Sequence, residues 1–156
     1  MEERRARAIA VQKAIIARQK ASLAKVKRRL NDISGGQTLS LFKIDAKSDY
    51  YQTIFDYVRA LGGTVVTGGN PQFKLIIDVD RNYSHSNTVN YYTGKGKHHS
   101  SKSVSVYKHT IKSTIVSVKG IDGGSTVLFY KSSYVKCSSD CTDLINEKIN
   151  YLLYSF

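Results

Sequence analysis

Residues 103–120 read SVSVYKHTIKSTIVSVKG, a run rich in Val, Ile, Thr and Tyr in which apolar and polar residues alternate. Such chemistry belongs to a strand, but strands average about five or six residues. A run this long needs partners of similar length, and the chain supplies two. FKLIIDVDRNY (73–83) puts Phe73, Leu75, Ile77 and Val79 on one face, with Lys74, Asp78, Asp80 and Ile76 on the other. STVLFYKSSYVK (125–136) follows the hairpin turn Ile121-Asp122-Gly123-Gly124. Within the long run the alternation changes phase. Val104 and Val106 share one face, whereas Tyr107, Ile111 and Ile115 share the other, and a bulge or twist near Tyr107 reconciles them. The polar stretch between the first two runs, SHSNTVNYYTGKGKHHSSK (84–102), reads as a long hairpin or a mobile loop, with a strand end at Val89 to Tyr92.

Helices and short strands surround these runs. TLSLFKI (38–44) alternates as a short strand, and Ser48 or Asp49 is placed to cap a helix running to about residue 61. Tyr51, Ile54, Phe55, Val58 and Leu61 would form its apolar face. Gly62-Gly63 stops it, Thr64 to Thr67 is a short strand, and Gly68-Gly69-Asn70-Pro71 is a turn. After residue 137, Ser138, Ser139 or Asp140 caps a last helix, on which Cys141, Ile145, Ile149, Leu152, Leu153 and Phe156 make one stripe. The fold class expected is α+β: a mostly antiparallel sheet of four to five strands with helices on one face, plus an N-terminal amphipathic helix. Phe55, Val58, Ile77, Val79, Ile145, Ile149 and Leu152 are its expected core.

The closing elements are a long strand, the turn KGIDGGST, a strand with a serine-rich end, and the helix DLINEKINYLLYSF. Together with YQTIFDYVRALGG followed by NPQFKLIIDVD, this order resembles a group of small bacterial envelope lipoproteins, largely of unknown function. The likeness covers roughly residues 38–156 and lies in element order and patterning. It implies a non-enzymatic envelope protein, a subunit of a larger assembly such as one for secretion or at the cell surface. The lipid-bearing N-terminal cysteine of such proteins has no counterpart among these residues.

Residues 1–36 have a different composition. Six of the eight arginines (Arg4, Arg5, Arg7, Arg18, Arg28, Arg29) fall before residue 34, with ten basic residues against three acidic ones, so that segment carries +7 of the chain's +12. Ile9, Ile16, Leu23 and Leu30 recur every seven residues, joined by Val26 and Ile33, with Gln12 and Gln19 at the earlier intermediate positions. This is a narrow seam on an Ala- and Lys/Arg-rich helix, and Ser34-Gly35-Gly36 ends it. The organisation read from this is 1–36, a basic helix with a Gly-Gly linker, and 37–156, an α+β domain. Three roles stay open for Ile9, Ile16, Leu23, Val26 and Leu30: packing on the chain's own domain, a seam for another envelope protein or a second copy, or part of a foreign extension.

Cys137 and Cys141 are the only cysteines. Their spacing across a strand end and a helix start favours a disulfide over two buried thiols, and a disulfide favours an oxidising compartment. No metal is expected, because His98 and His99 are adjacent in a loop and offer no convincing second pair. Asp78 and Asp80 have the spacing of a carboxylate pair, but residues so placed are more often solvated strand charges; His85 and His109 have no identifiable acid-base partner. No catalytic residue, cofactor or small-molecule substrate is expected. Lys95, Lys97, His98, His99 and Lys102, beside Tyr91 and Tyr92, form a candidate anion-binding loop. It suits an anionic membrane surface, or, as the alternative function, nucleic acid bound by a cytoplasmic protein that also uses the basic helix. The first twenty residues contain no continuous apolar core of an export signal, and no run of 18 apolar residues predicts a transmembrane helix. The expected location is the periplasm or cell envelope, with the cytoplasm as the alternative.

Overall fold

The computed structural model describes residues 1–35, 40–93, 98–119, 124–138 and 140–156; the side chains of 85–103 and 119 are outside the description. The element order is α1 (Glu2–Ser34), β1 (Leu41–Asp45), α2 (Ser48–Ala60), β2 (Thr64–Val65), β3 (Phe73–Thr93), β4 (His98–Lys119), β5 (Gly124–Cys137) and α3 (Thr142–Leu153). The fold is α+β. Five strands form one mixed sheet in the order β2-β1-β3-β4-β5. The two short pairings of β1 are parallel, and the two long ones are antiparallel.

The polar stretch 84–102 is resolved in favour of the hairpin: β3 and β4 stay paired from Phe73↔Ser117 out to Thr93↔His98. β5 covers β4 only as far as Tyr107↔Cys137. Beyond that point β3 and β4 continue as a ribbon. The register shift near Tyr107 lies on the partner strand, and β4 keeps its own alternation through it. Register passes from Tyr83↔Tyr107 to His85↔Val106, so the extra residue is Ser84 of β3.

One face of the sheet is apolar. Pairing puts Phe42, then Phe73, Leu75 and Ile77, then Ile111 and Ile115 on the same side, and all six are buried. Ser113 and Ser117 alternate with the isoleucines there. The stripe of α3 closes over this face: Cys141, Ile145, Ile149, Leu152, Leu153 and Phe156 are all buried in the same cluster. The capping expectation for α3 is corrected: its cap position is Cys141, with no side-chain cap hydrogen bond, although Asp140 just before it accepts from the Thr142 N–H at 3.1 Å.

α2 differs from its expected orientation. Its buried residues are Tyr50, Ile54, Tyr57 and Val58, while Phe55 is half-buried and Tyr51 exposed. Those two rings stack on each other instead, centroids 6.1 Å apart. Tyr50 and Tyr57 carry enough apolar ring surface to serve as core. The capping expectation is also corrected, because the cap position is Lys47, with no side-chain cap hydrogen bond. Val79 is half-buried at the margin of the cluster.

α1 is about 50 Å long at 1.5 Å per residue. It ends at Gly35, whose φ of 68° lies in the left-handed region glycine tolerates. Its buried residues are Ser22, Val26 and Leu30, so only the second half of the helix meets the core.

Candidate functional site

The three regions singled out from sequence have different fates. In the seam, Val26 and Leu30 lie in the chain's own core and Leu23 packs against it. Ile9 and Ile16 are 56% and 42% exposed, as are their neighbours Val11 and Ile15 at 60% and 44%. The seven-residue spacing therefore serves two surfaces. The inner half holds α1 to the sheet and α3, and the outer half faces solvent. Where the helix leaves the domain, Ile15, Arg18 and Gln19 of α1 and Tyr151, Tyr154 and Ser155 at the end of α3 border a groove.

In the candidate anion-binding loop, Lys95 and Lys97 lie outside the described residues. His98, His99 and Lys102 belong to β4 by backbone, pairing with Thr93, Tyr92 and Val89, and their side chains are outside the description. Asp78 and Asp80 are exposed. With Asp45 they border a notch at the start of α2, and Asp45 is also 3.8 Å from the Lys74 ammonium.

The third region is the cysteine pair. The sulfur atoms of Cys137 and Cys141 are in bonding contact, with Cα atoms 6.4 Å apart. Cys137 is the last residue of β5 and Cys141 the N-cap of α3, so the contact ties the final helix to the edge strand. What sequence reading missed is His109. It lies on the helix-facing side of β4, paired with Arg81 of β3 and Val135 of β5, and its Nε2 is 3.5 Å from the Cys141 sulfur. The nitrogen of His109 and the two sulfurs all lie within 4.8 Å of one another. A signal was present: His109 shares strand parity with Ile111 and Ile115, a polar residue in an apolar row. Burial, and then the Arg81 guanidinium, hold the His109 imidazole below its ordinary range. The Arg81 guanidinium itself lies 3.8 Å above the Tyr107 ring.

No protein-family model and no curated protein matches the chain. Among solved structures it is similar to a PDZ domain protein from Parabacteroides distasonis, at 10% identity and a TM-score of 0.49, over 74% of this chain and 31% of that one. The chain thus spans about a third of that protein. It is also similar to a minor lipoprotein from Acinetobacter baumannii, at 12% identity and a TM-score of 0.35, over 74% and 81% of the two chains. A third similarity is to a neuraminyllactose-binding hemagglutinin homolog from Helicobacter pylori, at 10% identity and a TM-score of 0.31, over 74% and 76%. Among the described residues no helix is long and apolar enough to cross a membrane.

Proposed function

We propose that the chain is a non-enzymatic interaction domain of the bacterial envelope, a subunit that associates with a protein partner, first of all a second copy, through the outer half of α1. One observation supports this above the others. Ile9, Val11, Ile15 and Ile16 are exposed on a helix that continues well past its last buried contact. Most helical stability comes from tertiary packing of an apolar face, and an exposed apolar seam gains free energy when another surface covers it. The envelope placement rests on the element-order resemblance and on the cysteine pair.

The basic charge on the same segment supports the alternative, binding of nucleic acid or an anionic surface, and the two readings respond differently to substitution. Sedimentation across a range of concentrations should show association that Ile9→Ser with Ile16→Ser abolishes. Replacing Arg4, Arg5 and Arg7 with Gln should leave it in place. Both sets are exposed, so the fold should survive each. Loss only in the arginine set, with binding to an oligonucleotide that falls steeply with salt, would replace this function with the nucleic-acid one.

A further inference from the structure

We propose that Cys137, Cys141 and His109 form a redox-gated site for a thiophilic d10 cation such as Zn2+, filled when the cysteine pair is reduced and emptied when it closes. The inference stands apart from the α1 interface.

The geometry carries it. Zinc holds thiolate sulfur at about 2.3 Å and imidazole nitrogen at about 2.0–2.1 Å. With tetrahedral angles, two ligands of one ion are then about 3.5–3.8 Å apart. The Cys141 sulfur and the His109 Nε2 are 3.5 Å apart. All three donor atoms lie within 4.8 Å of one another. Once the sulfurs separate, a small side-chain rotation brings them to the same spacing, because the two Cα atoms are already 6.4 Å apart.

The three ligands come from three elements fixed independently. His109 is held by pairing on both sides within the sheet. Cys137 ends β5, opposite Tyr107. Cys141 is buried at the head of α3, where its carbonyl accepts from the Ile145 N–H at 2.8 Å and Ile145 itself is buried. The N-terminal end of α3 carries positive partial charge, which suits an anionic sulfur donor. Two thiolates and a neutral imidazole match a borderline-soft cation, and three protein ligands leave the fourth position to water.

The chemistry balances. A dithiol reductant gives two electrons and two protons to the Cys137–Cys141 bond, and itself becomes a disulfide. Each resulting thiol releases its proton as its sulfur binds the cation. His109 gives its Nε2 lone pair with its proton on Nδ1, and the metal does not change oxidation state. On re-oxidation a disulfide oxidant takes two electrons and, with two protons from water, becomes a dithiol. The Cys137–Cys141 bond re-forms, both metal–sulfur bonds break, and the cation leaves to solvent.

The test uses the whole chain in two states. Protein reduced with a phosphine, freed of reductant without oxygen, is titrated with Co2+ as a spectroscopic stand-in, then with Zn2+ against a chromophoric chelator. The reduced form should bind one Co2+ per chain with thiolate-to-cobalt absorption, and Zn2+ should displace it. The oxidised form should bind none. Because the oxidised chain carries no substitution, that comparison holds whatever a variant does to folding. Reduced His109→Gln should bind Zn2+ at least about ten-fold more weakly. Equal affinity in the reduced and oxidised forms, or an unchanged affinity in His109→Gln, would overturn the proposal.

Discussion

The Ser22 hydroxyl donates to the main-chain carbonyl of Phe156 across 3.4 Å, joining residues 134 positions apart. The middle of α1 meets the C-terminal residue there, and Val26 and Leu30 continue the same contact into the core. Leu30 is only 2% exposed. Leu30→Ala should therefore cost about 3 kcal/mol in urea unfolding, the range for an incompletely refilled core cavity. Ile9→Ala, on the same heptad position but in solvent, should stay within about 0.5 kcal/mol for dilute protein. Equal effects would mean that α1 is held along its whole length.

Gly62 and Gly63 separate two reasons for glycine. Gly62 has φ of 79° and open space where a Cβ would go, so Gly62→Ala should lose about 1 kcal/mol to backbone strain alone. Gly63 has no such dihedral, but a Cβ there would lie 2.8 Å from Phe42 Cδ2 and 3.1 Å from Val58 Cγ1. Phe42 is fully buried, its ring 5.4 Å from that of Phe73, and has no free direction to move. Gly63→Ala should cost about 2 kcal/mol through overpacking. Thermal melting of the two variants checks the order.

Oxidised protein should be two hydrogens lighter by mass spectrometry than reduced protein. The loop closed by Cys137 and Cys141 spans a sequence separation of 4, so reduction should remove only about 2 kcal/mol of stability by the chain-entropy relation. A metal-free reduced chain that fails to fold would show that the bond does more than pin α3 to β5.

Much of this arrangement is legible in the sequence, and the misses have physical causes. The stripe from Cys141 to Phe156 reads cleanly because its opposite face is polar. α2 does not, because Tyr50 and Tyr57 compete with Tyr51 and Phe55 for the core, and periodicity cannot rank adjacent rows of amphipathic rings. The apolar pattern changes phase near Tyr107, but β4 keeps its own alternation there. A bulge belongs to a pair of strands, and its extra residue is Ser84 on the other one. The heptad spacing of α1 carries no mark of where the domain ends, so the division between Ile16 and Leu23 emerges only from packing. His109 joins Cys137 and Cys141 through the register of β4 with β5 and the position of α3, which no local spacing encodes.

Tyr57 is a core residue with a titratable cost. It is 1% exposed, its ring packs edge-on against Tyr154 at 5.2 Å, and its hydroxyl has no hydrogen-bond partner among the described residues. Burial, and next the neighbouring Tyr154, push its phenol well above the ordinary value of 10.0. The folded state thus favours the neutral form. Its contribution to stability is full below the unfolded value near pH 10 and is lost as the pH rises above it, because only the unfolded chain then ionises freely. Tyr57→Phe keeps the ring and removes both the ionisation and an unpaired buried hydroxyl, whose desolvation costs about 1–3 kcal/mol. The variant should be about 1 kcal/mol more stable at pH 7, and its advantage should widen above pH 10 in urea titrations. A variant less stable at pH 7 would show that the hydroxyl has a partner in solution, and an unchanged alkaline slope would show that another group controls the high-pH transition.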